Sequence, residues 1–312
     1  MGGPLSQFVC DMHESGSAAV IMSPHLDDAV LSCGALLAHL VRRCPVTVVT
    51  VFTAAAPPPW SLSARRQLRA LGVTDAEDFF EQRRAEDNKV LAEIGAEVVH
   101  LGLRDALFRR VGEVADGQEA YTRQRPAYPA FRFDAARGRI ARTDAGLAAE
   151  VAAQMREVVR EAGARVLFAP LGIGRHVDHL ITRRAAQYLG LGTVYYSDFP
   201  YSETAVPERS FVRRAGLVPH PWLVGRAENA DRIAGYRTQF AGLFPLGTVP
   251  LRPEVYWLDA GDSAAATLGT GPPGARDSGL RQVRDPPGHG RSTGRARGTR
   301  PPPRSRRRRN RR

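Results

Sequence analysis

Hydrophobic and polar positions switch between two periods along the first 260 residues. Residues 18–22 (AAVIM) form a short apolar run that stops at Ser23-Pro24, the signature of a short strand. Residues 27–43 follow a helical pattern, with Asp27 and Asp28 at the start and Arg42 and Arg43 in the last turn, where a helix dipole favours those charges. Residues 46–52 (VTVVTVF) are β-branched and almost wholly apolar, as in a strand covered on both faces. After Pro57-Pro58-Pro59 the pattern predicts a helix over residues 74–94, stopped by Gly95, and a strand over 97–101 (EVVHL). An amphipathic helix over 145–162, a strand over 165–169 ended by Pro170, a helix over 179–189, a strand over 193–196 and a helix over 229–240 complete the series.

Repeated βα units with right-handed crossovers predict an open, doubly wound α/β domain with a mainly parallel sheet. Such a sheet binds ligands at the carboxyl ends of its strands. The expected organisation is an N-terminal extension (residues 1–17), a catalytic domain (18–260) and a tail (261–312). Residues 102–142 are irregular and too long for an ordinary connection. With Tyr121, Tyr128, Phe131 and Phe133 they read either as a lid or acceptor wall or as a segment without fixed structure.

Charge sharpens the domain boundary. The chain carries 44 Lys+Arg against 32 Asp+Glu, a net charge of +12. Residues 271–312 alone hold 14 Arg and two acids, leaving 30 of each sign in residues 1–270. The body is neutral and the excess belongs to the tail. That tail is mostly Gly, Pro, Ser and Arg, too poor in apolar groups to offset its ordering entropy, so disorder is expected there. The bias of 43 Arg to one Lys (Lys89) assigns it to an incidental extension of GC-rich coding DNA. Binding of nucleic acid or an anionic surface through residues 306–309 and 311–312 is the alternative, a hypothesis of a different class. Three cysteines (Cys10, Cys33, Cys44) offer neither a disulfide framework nor a CxxC zinc site. No signal peptide and no membrane-spanning run is visible, and a cytoplasmic protein is expected.

Chemistry concentrates in two loops at predicted strand ends: Ser23-Pro24-His25-Leu26-Asp27-Asp28, and Gly172-Ile173-Gly174-Arg175-His176-Val177-Asp178-His179. Two imidazoles and a carboxylate around an open position are a common catalytic zinc arrangement. In HxDD, His25 and Asp28 can reach one ion while Asp27 faces the water as general base. In HxDH, one histidine completes the metal site and the other acts as acid or oxyanion stabiliser, with Asp178 to orient it. Zinc lowers the pKa of water to about 7, enough to attack an amide or ester carbonyl. Taken singly, each motif reads as a helix cap or a polar loop; their joint placement points to a site.

PHLDDAVLSCG followed by GRHVDH resembles the PIG-L/LmbE-like zinc-dependent N-deacetylases, whose signatures are a His-Pro-Asp-Asp-Glu loop and a later His-x-Asp-His. The likeness extends over about residues 18–259 and takes in Arg83-x-x-Glu86, Leu101-Gly102 to Asp105, and Tyr236-Arg237-Thr238-Gln239. It implies a Rossmann-like three-layer fold with helices on both faces of the sheet. It implies His25, Asp28 and His179 as zinc ligands, Asp27 as general base, and His176 as the group that stabilises or protonates the tetrahedral intermediate. Arg83 would bind substrate hydroxyls, against the alternative of a solvated i,i+3 pair with Glu86. Asp105 would bond a sugar hydroxyl or cap a turn.

Leu26 and Ala29 replace the family's usual Pro and Glu, and HxDDAxxS resembles the branch of aminoglycoside and glycopeptide tailoring deacetylases. The resemblance therefore implies an N-acetylglucosamine-type conjugate in an antibiotic or other secondary-metabolite precursor as substrate. A mycothiol-type thiol-cofactor deacetylase or conjugate amidase is the alternative. Cys33, His39 and His100 are expected to be structural. Gly172 and Gly174 lack a phosphate-loop context.

Overall fold

The computed structural model describes residues 3–111, 125–134 and 137–260. Among them seven strands form one sheet: β1 Ala18–Ser23, β2 Val46–Ala54, β3 Glu97–Arg104, β4 Ala164–Pro170, β5 Gly192–Tyr196, β6 Leu217–Trp222 and β7 Glu254–Asp259. Their order is β3-β2-β1-β4-β5-β7-β6. The first five are parallel, and β7 runs antiparallel to both β5 and β6. The helices are α1 Pro4–Glu14, α2 Asp28–Leu40, α3 Leu62–Ala70, α4 Ala76–Ile94, α5 Phe131–Asp134, α6 Leu147–Glu161, α7 Val177–Leu189, α8 Arg209–Arg214, α9 Arg226–Ile233 and α10 Arg237–Leu243.

The alternation of β1 shows how the layers are built. All six of its residues are buried. Ala19 and Ile21 pack with α1, α2, α4 and α9 residues; Ala18, Val20 and Met22 pack with α6 and α7 residues on the opposite face. A strand covered on both sides has no polar face, which is why it reads as a continuous apolar run. The three-layer expectation holds.

Several elements differ from expectation, among them α3, α8 and β7, which the periodicity does not predict. Residues 4–14 form a helix with Leu5, Phe8, Val9 and Met12 buried in the same cluster as β1 and α2. Their i, i+3, i+4, i+7 spacing is a helical stripe within what reads in sequence as a plain extension. The antiparallel β6 escapes detection because Pro219 and Pro221 interrupt it, as prolines can on an edge strand. The helix expected over 229–240 is two helices. Tyr236 breaks it with φ −82° and ψ 65°, and Gly235 presses so closely on α4 that a Cβ there would lie 2.6 Å from Val90 Cγ2. The Gly/Pro/Arg-rich tail and Tyr121 lie outside the described residues.

What positions the chemistry is the strand order. β2 lies on one side of β1 and β4 on the other, so the crossovers reverse direction at β1. The loops that follow β1 and β4 emerge side by side at their carboxyl ends, in register through Ile21 and Phe168, at the crevice where open α/β sheets bind ligands. No described helix is long and apolar enough to cross a membrane.

Candidate metal and catalytic site

The loop after β1 is fixed by its own hydrogen bonds. Ser23 Oγ donates to the His25 carbonyl (2.7 Å) and accepts from Ala29 N–H (3.0 Å). Asp28 Oδ2 accepts from His25 N–H at 2.9 Å and lies 3.0 Å from His25 Nδ1. Asp27 occupies the N-cap of α2 yet its side chain makes no capping bond, so the reading of this acid as a helix cap fails. Its carboxylate is buried and faces Arg83 at 3.9 Å.

The loop after β4 turns through Gly172 and Gly174, with φ of 80° and 79°. A Cβ on Gly174 would lie 2.6 Å from the Tyr201 ring, which packs edge-on against His179 at 5.3 Å. α7 begins at Val177, earlier than expected, because His176 caps it: its Nδ1 accepts from Asp178 N–H (3.3 Å). His179 therefore sits in the first turn, with Nε2 3.3 Å from Asp28 Oδ2. Its Nδ1 donates to Asp198 Oδ1 at 2.7 Å, and Asp198 Oδ2 accepts from Ile173 N–H, also at 2.7 Å. Asp198 escapes the sequence reading. It follows the carboxyl end of β5, and that location is the only signal that points to it.

His25 Nδ1 and His179 Nε2 thus converge on one oxygen of Asp28. Among the described residues, the buried His179 Nε2 has no hydrogen-bond partner. Two imidazole nitrogens facing a buried carboxylate demand positive charge, either protons or a cation. Each distal nitrogen meets its own carboxylate: His25 Nε2 lies 3.1 Å from Asp178 Oδ2, and His179 Nδ1 meets Asp198. Carboxylates so placed fix tautomer and ring orientation in metal-ligating histidines, so the residues present fit a divalent metal ion. The rings of His25, His176 and His179 lie 5.0–5.6 Å apart. Nitrogens of these three form one group that could hold a metal, and His25, Asp105 and Asp178 form another.

Asp178 corrects one expectation. It meets His176 through its backbone N–H alone, while its side chain engages His25, accepts Ala106 N–H at 3.0 Å and pairs with the Arg109 guanidinium. Arg109, also missed by the sequence reading, bridges to Asp144 at 3.0 Å. Tyr128, a candidate lid residue, is buried and donates to Asp144 at 2.5 Å. Phe131 does reach the site, edge-on to His176 at 5.8 Å, while Phe133 is exposed.

Arg83 is 7% exposed, with its guanidinium 5.1 Å from the Phe80 ring centroid. The alternative of a solvated pair with Glu86 fails, since Glu86 accepts instead from Thr238 N–H and Oγ1. Asp105 caps a turn and also approaches His25. Oδ1 accepts from Leu107 N–H at 2.8 Å, and Oδ2 lies 3.8 Å from His25 Nε2. Cys33 is a packed core thiol.

The electrostatics divide the acids. Burial would raise Asp28, but His179 and His25 override it and hold the carboxyl far below the usual range. For Asp178, burial is likewise overridden, by Arg109 and His25. Asp27 has no such partner: burial, reinforced by Asp28 and opposed by Arg83, pushes it up to about 6. Burial drives His176 down to about 3. His179 is opposed by burial but raised to about 9 by Asp28 and Asp198. The arrangement supplies anionic ligands, a carboxylate near the pKa of a general base, and a neutral imidazole.

The model of the PIG-L family, described as GlcNAc-PI de-N-acetylase, matches residues 20–189. The 2'-N-acetylparomamine deacetylase of Streptomyces fradiae is 33% identical over 208 residues. That match covers 64% of this chain and 64% of the relative, so the chain spans just under two thirds of its length. The structure of the zinc-inhibited form of teicoplanin deacetylase Orf2 is 25% identical with a TM-score of 0.59, covering 77% of this chain and 97% of that one. The antimicrobial reagent A40926 pseudoaglycone deacetylase Dbv21 is 25% identical with a TM-score of 0.54, covering 78% and 96%. The family model covers more than half of the chain and solved deacetylases share its mainly parallel sheet, so the chain belongs to the PIG-L family.

Proposed function

We propose that this chain is a zinc-dependent N-deacetylase that hydrolyses the acetamide of an N-acetylglucosamine-type sugar on an antibiotic or other secondary-metabolite precursor. The observation that carries the reading is the convergence of His25 Nδ1, His179 Nε2 and Asp28 Oδ2, with each imidazole backed by a carboxylate. His25, Asp28 and His179 would hold the zinc, which when bound supplies Lewis acidity and lowers the pKa of water to about 7.

Asp27 acts as general base. Its buried carboxyl, at about 6, is mostly ionised at neutral pH and basic enough to take a proton from the attacking water. His176 stabilises the oxyanion of the tetrahedral intermediate. With Nδ1 accepting from Asp178 N–H, its proton resides on Nε2, and a pKa near 3 makes it a neutral hydrogen-bond donor rather than an imidazolium. Asp178 acts through His25. Arg83 and Asp105 flank Asp27 and His25 and would bind sugar hydroxyls. The relatives named as deacetylases of 2'-N-acetylparomamine, teicoplanin and the A40926 pseudoaglycone support the antibiotic-precursor class. Three free cysteines, two of them buried, fit a reducing cytoplasm.

Metal analysis of the purified protein, the Asp27→Asn variant and a mass-shift screen of N-acetylglucosaminyl conjugates for loss of an acetyl group test this together. A protein without divalent metal, or an Asp27→Asn variant with undiminished amidase activity, contradicts it.

A further inference from the structure

The two histidines that converge on Asp28 are backed differently. Asp198, behind His179, takes a backbone N–H from Ile173 and, among the described residues, pairs with no arginine or lysine. Asp178, behind His25, is fully buried and held by three donors: His25 Nε2, Ala106 N–H and the Arg109 guanidinium. Arg109 is itself fixed. It is 7% exposed, donates to the Arg104 carbonyl at 3.0 Å and bridges to Asp144 at 3.0 Å. Its guanidinium carbon lies 4.8 Å from the Phe52 ring centroid and 5.5 Å from that of Tyr128.

This matters because His25 belongs to two donor groups, one with His176 and His179 and one with Asp105 and Asp178. A neutral imidazole has one lone pair to give. If Nε2–H donates to an anionic Asp178, Nδ1 is the ligand and faces Asp28. If Asp178 is uncompensated, the Asp105/Asp178 side is the more anionic and competes for a cation through Nε2. A guanidinium seated on Asp178 keeps it a hydrogen-bond acceptor and opposes a metal ion there by like-charge repulsion.

We propose that Arg109 is a positioning residue that, through Asp178, commits His25 to present Nδ1 to a metal shared with Asp28 and His179. The inference rests on the metal-site reading above. Lysine keeps the charge at position 109 but cannot bridge Asp178 and Asp144 with one planar fork, and glutamine removes the charge.

The test is titration of the metal-depleted full chain with zinc against a competing chelator, and with cobalt(II) followed by its visible spectrum. Arg109→Lys and Arg109→Gln are compared with the wild type, and folding is checked by circular dichroism. The wild type takes up one tight equivalent. Loss of an outer partner of a metal-ligating histidine typically weakens binding 10–100-fold. Arg109→Lys is expected at the lower end and Arg109→Gln at the upper end of that range, each with a shifted cobalt spectrum and a fall in kcat larger than any change in KM. A purely structural role would lower thermal stability and leave zinc affinity and the cobalt spectrum unchanged. That result overturns the proposal while the metal reading stands, even if only Arg109→Lys folds. Two tight equivalents in the wild type also overturn it, and no metal uptake by the wild type overturns both.

Discussion

Two buried carboxylate clusters lie near each other in this molecule and are built on opposite rules. Around Asp87 on α4, every demand is met: Thr50 Oγ1 donates at 3.1 Å, His100 Nε2 at 2.9 Å and Tyr236 OH at 2.8 Å. Around Asp28 the partners face one another without closing. His25 Nδ1 and His179 Nε2 crowd one oxygen; among the described residues His179 Nε2 has no hydrogen-bond partner and the Asp27 carboxylate forms an ion pair with Arg83 alone, at 3.9 Å. Both clusters hold Asp and His, so residue type does not separate them. Satisfaction does. A buried polar group left unpaired costs about 1–3 kcal/mol, so an unpaired His179 Nε2 facing a shared carboxylate points to something that binds there, whereas a closed cluster holds the fold.

Substitutions at the two carboxylates test that contrast directly. Asp28→Ala removes the anion on which both imidazoles converge. We expect a folded protein that retains no metal after dialysis and loses more than about 1000-fold in amidase activity, equivalent to about 4 kcal/mol. Asp87→Ala should show the reverse pattern. Three donors lose their acceptor, and stability in urea should fall by about 3 kcal/mol, while metal content and activity per folded molecule stay within a few-fold of wild type. If Asp87→Ala loses metal as Asp28→Ala does, the two clusters are one functional unit and the contrast fails.

A finer test lies inside the open cluster. Asp198→Asn keeps the shape of the group behind His179 but removes its charge, and zinc affinity should drop roughly 10–100-fold with little change in folding stability. Competition with a chelator reads this out. An unchanged affinity would mean that His179 is oriented by packing against Tyr201 alone.

How much of this is visible in sequence depends on the range of the signal. His25, Asp27, Asp28, His176 and His179 are legible because each loop carries its residues within a few positions of one another, at the end of a strand that periodicity reveals. Strands β1, β2 and β4 are legible because burial on both faces makes them nearly continuous apolar runs. Asp198 and Arg109 are not, since each is one ordinary charged residue whose importance comes from contact across 19 positions to His179 or 69 to Asp178. Asp178 is legible as a site residue but not in its role: adjacency suggests His176, and the start of α7 aims it at His25 instead. Edge strand β6 is hidden by prolines that only an edge tolerates. The stripe on α1 is regular enough to read, but one short helix without a neighbouring motif is easily passed over.

Tyr236→Phe is the mildest probe of the closed cluster. Phenylalanine fills the same volume, so the core around Tyr236, which is 2% exposed, should repack without a cavity, and the only loss is one hydrogen bond to Asp87. A bond to a charged acceptor contributes about 1.5–3 kcal/mol at most, and Thr50 and His100 still hold the carboxylate, so the expected loss is about 1 kcal/mol. Urea unfolding of the metal-depleted and metal-loaded forms should show the same decrement. Gly235 and the break between α9 and α10 make that equality informative. If the hydroxyl also tethers α10 to the catalytic end through Asp87 and Arg83, the loaded form would lose more than the depleted one, and the closed cluster would be a support for the open one rather than its independent counterpart.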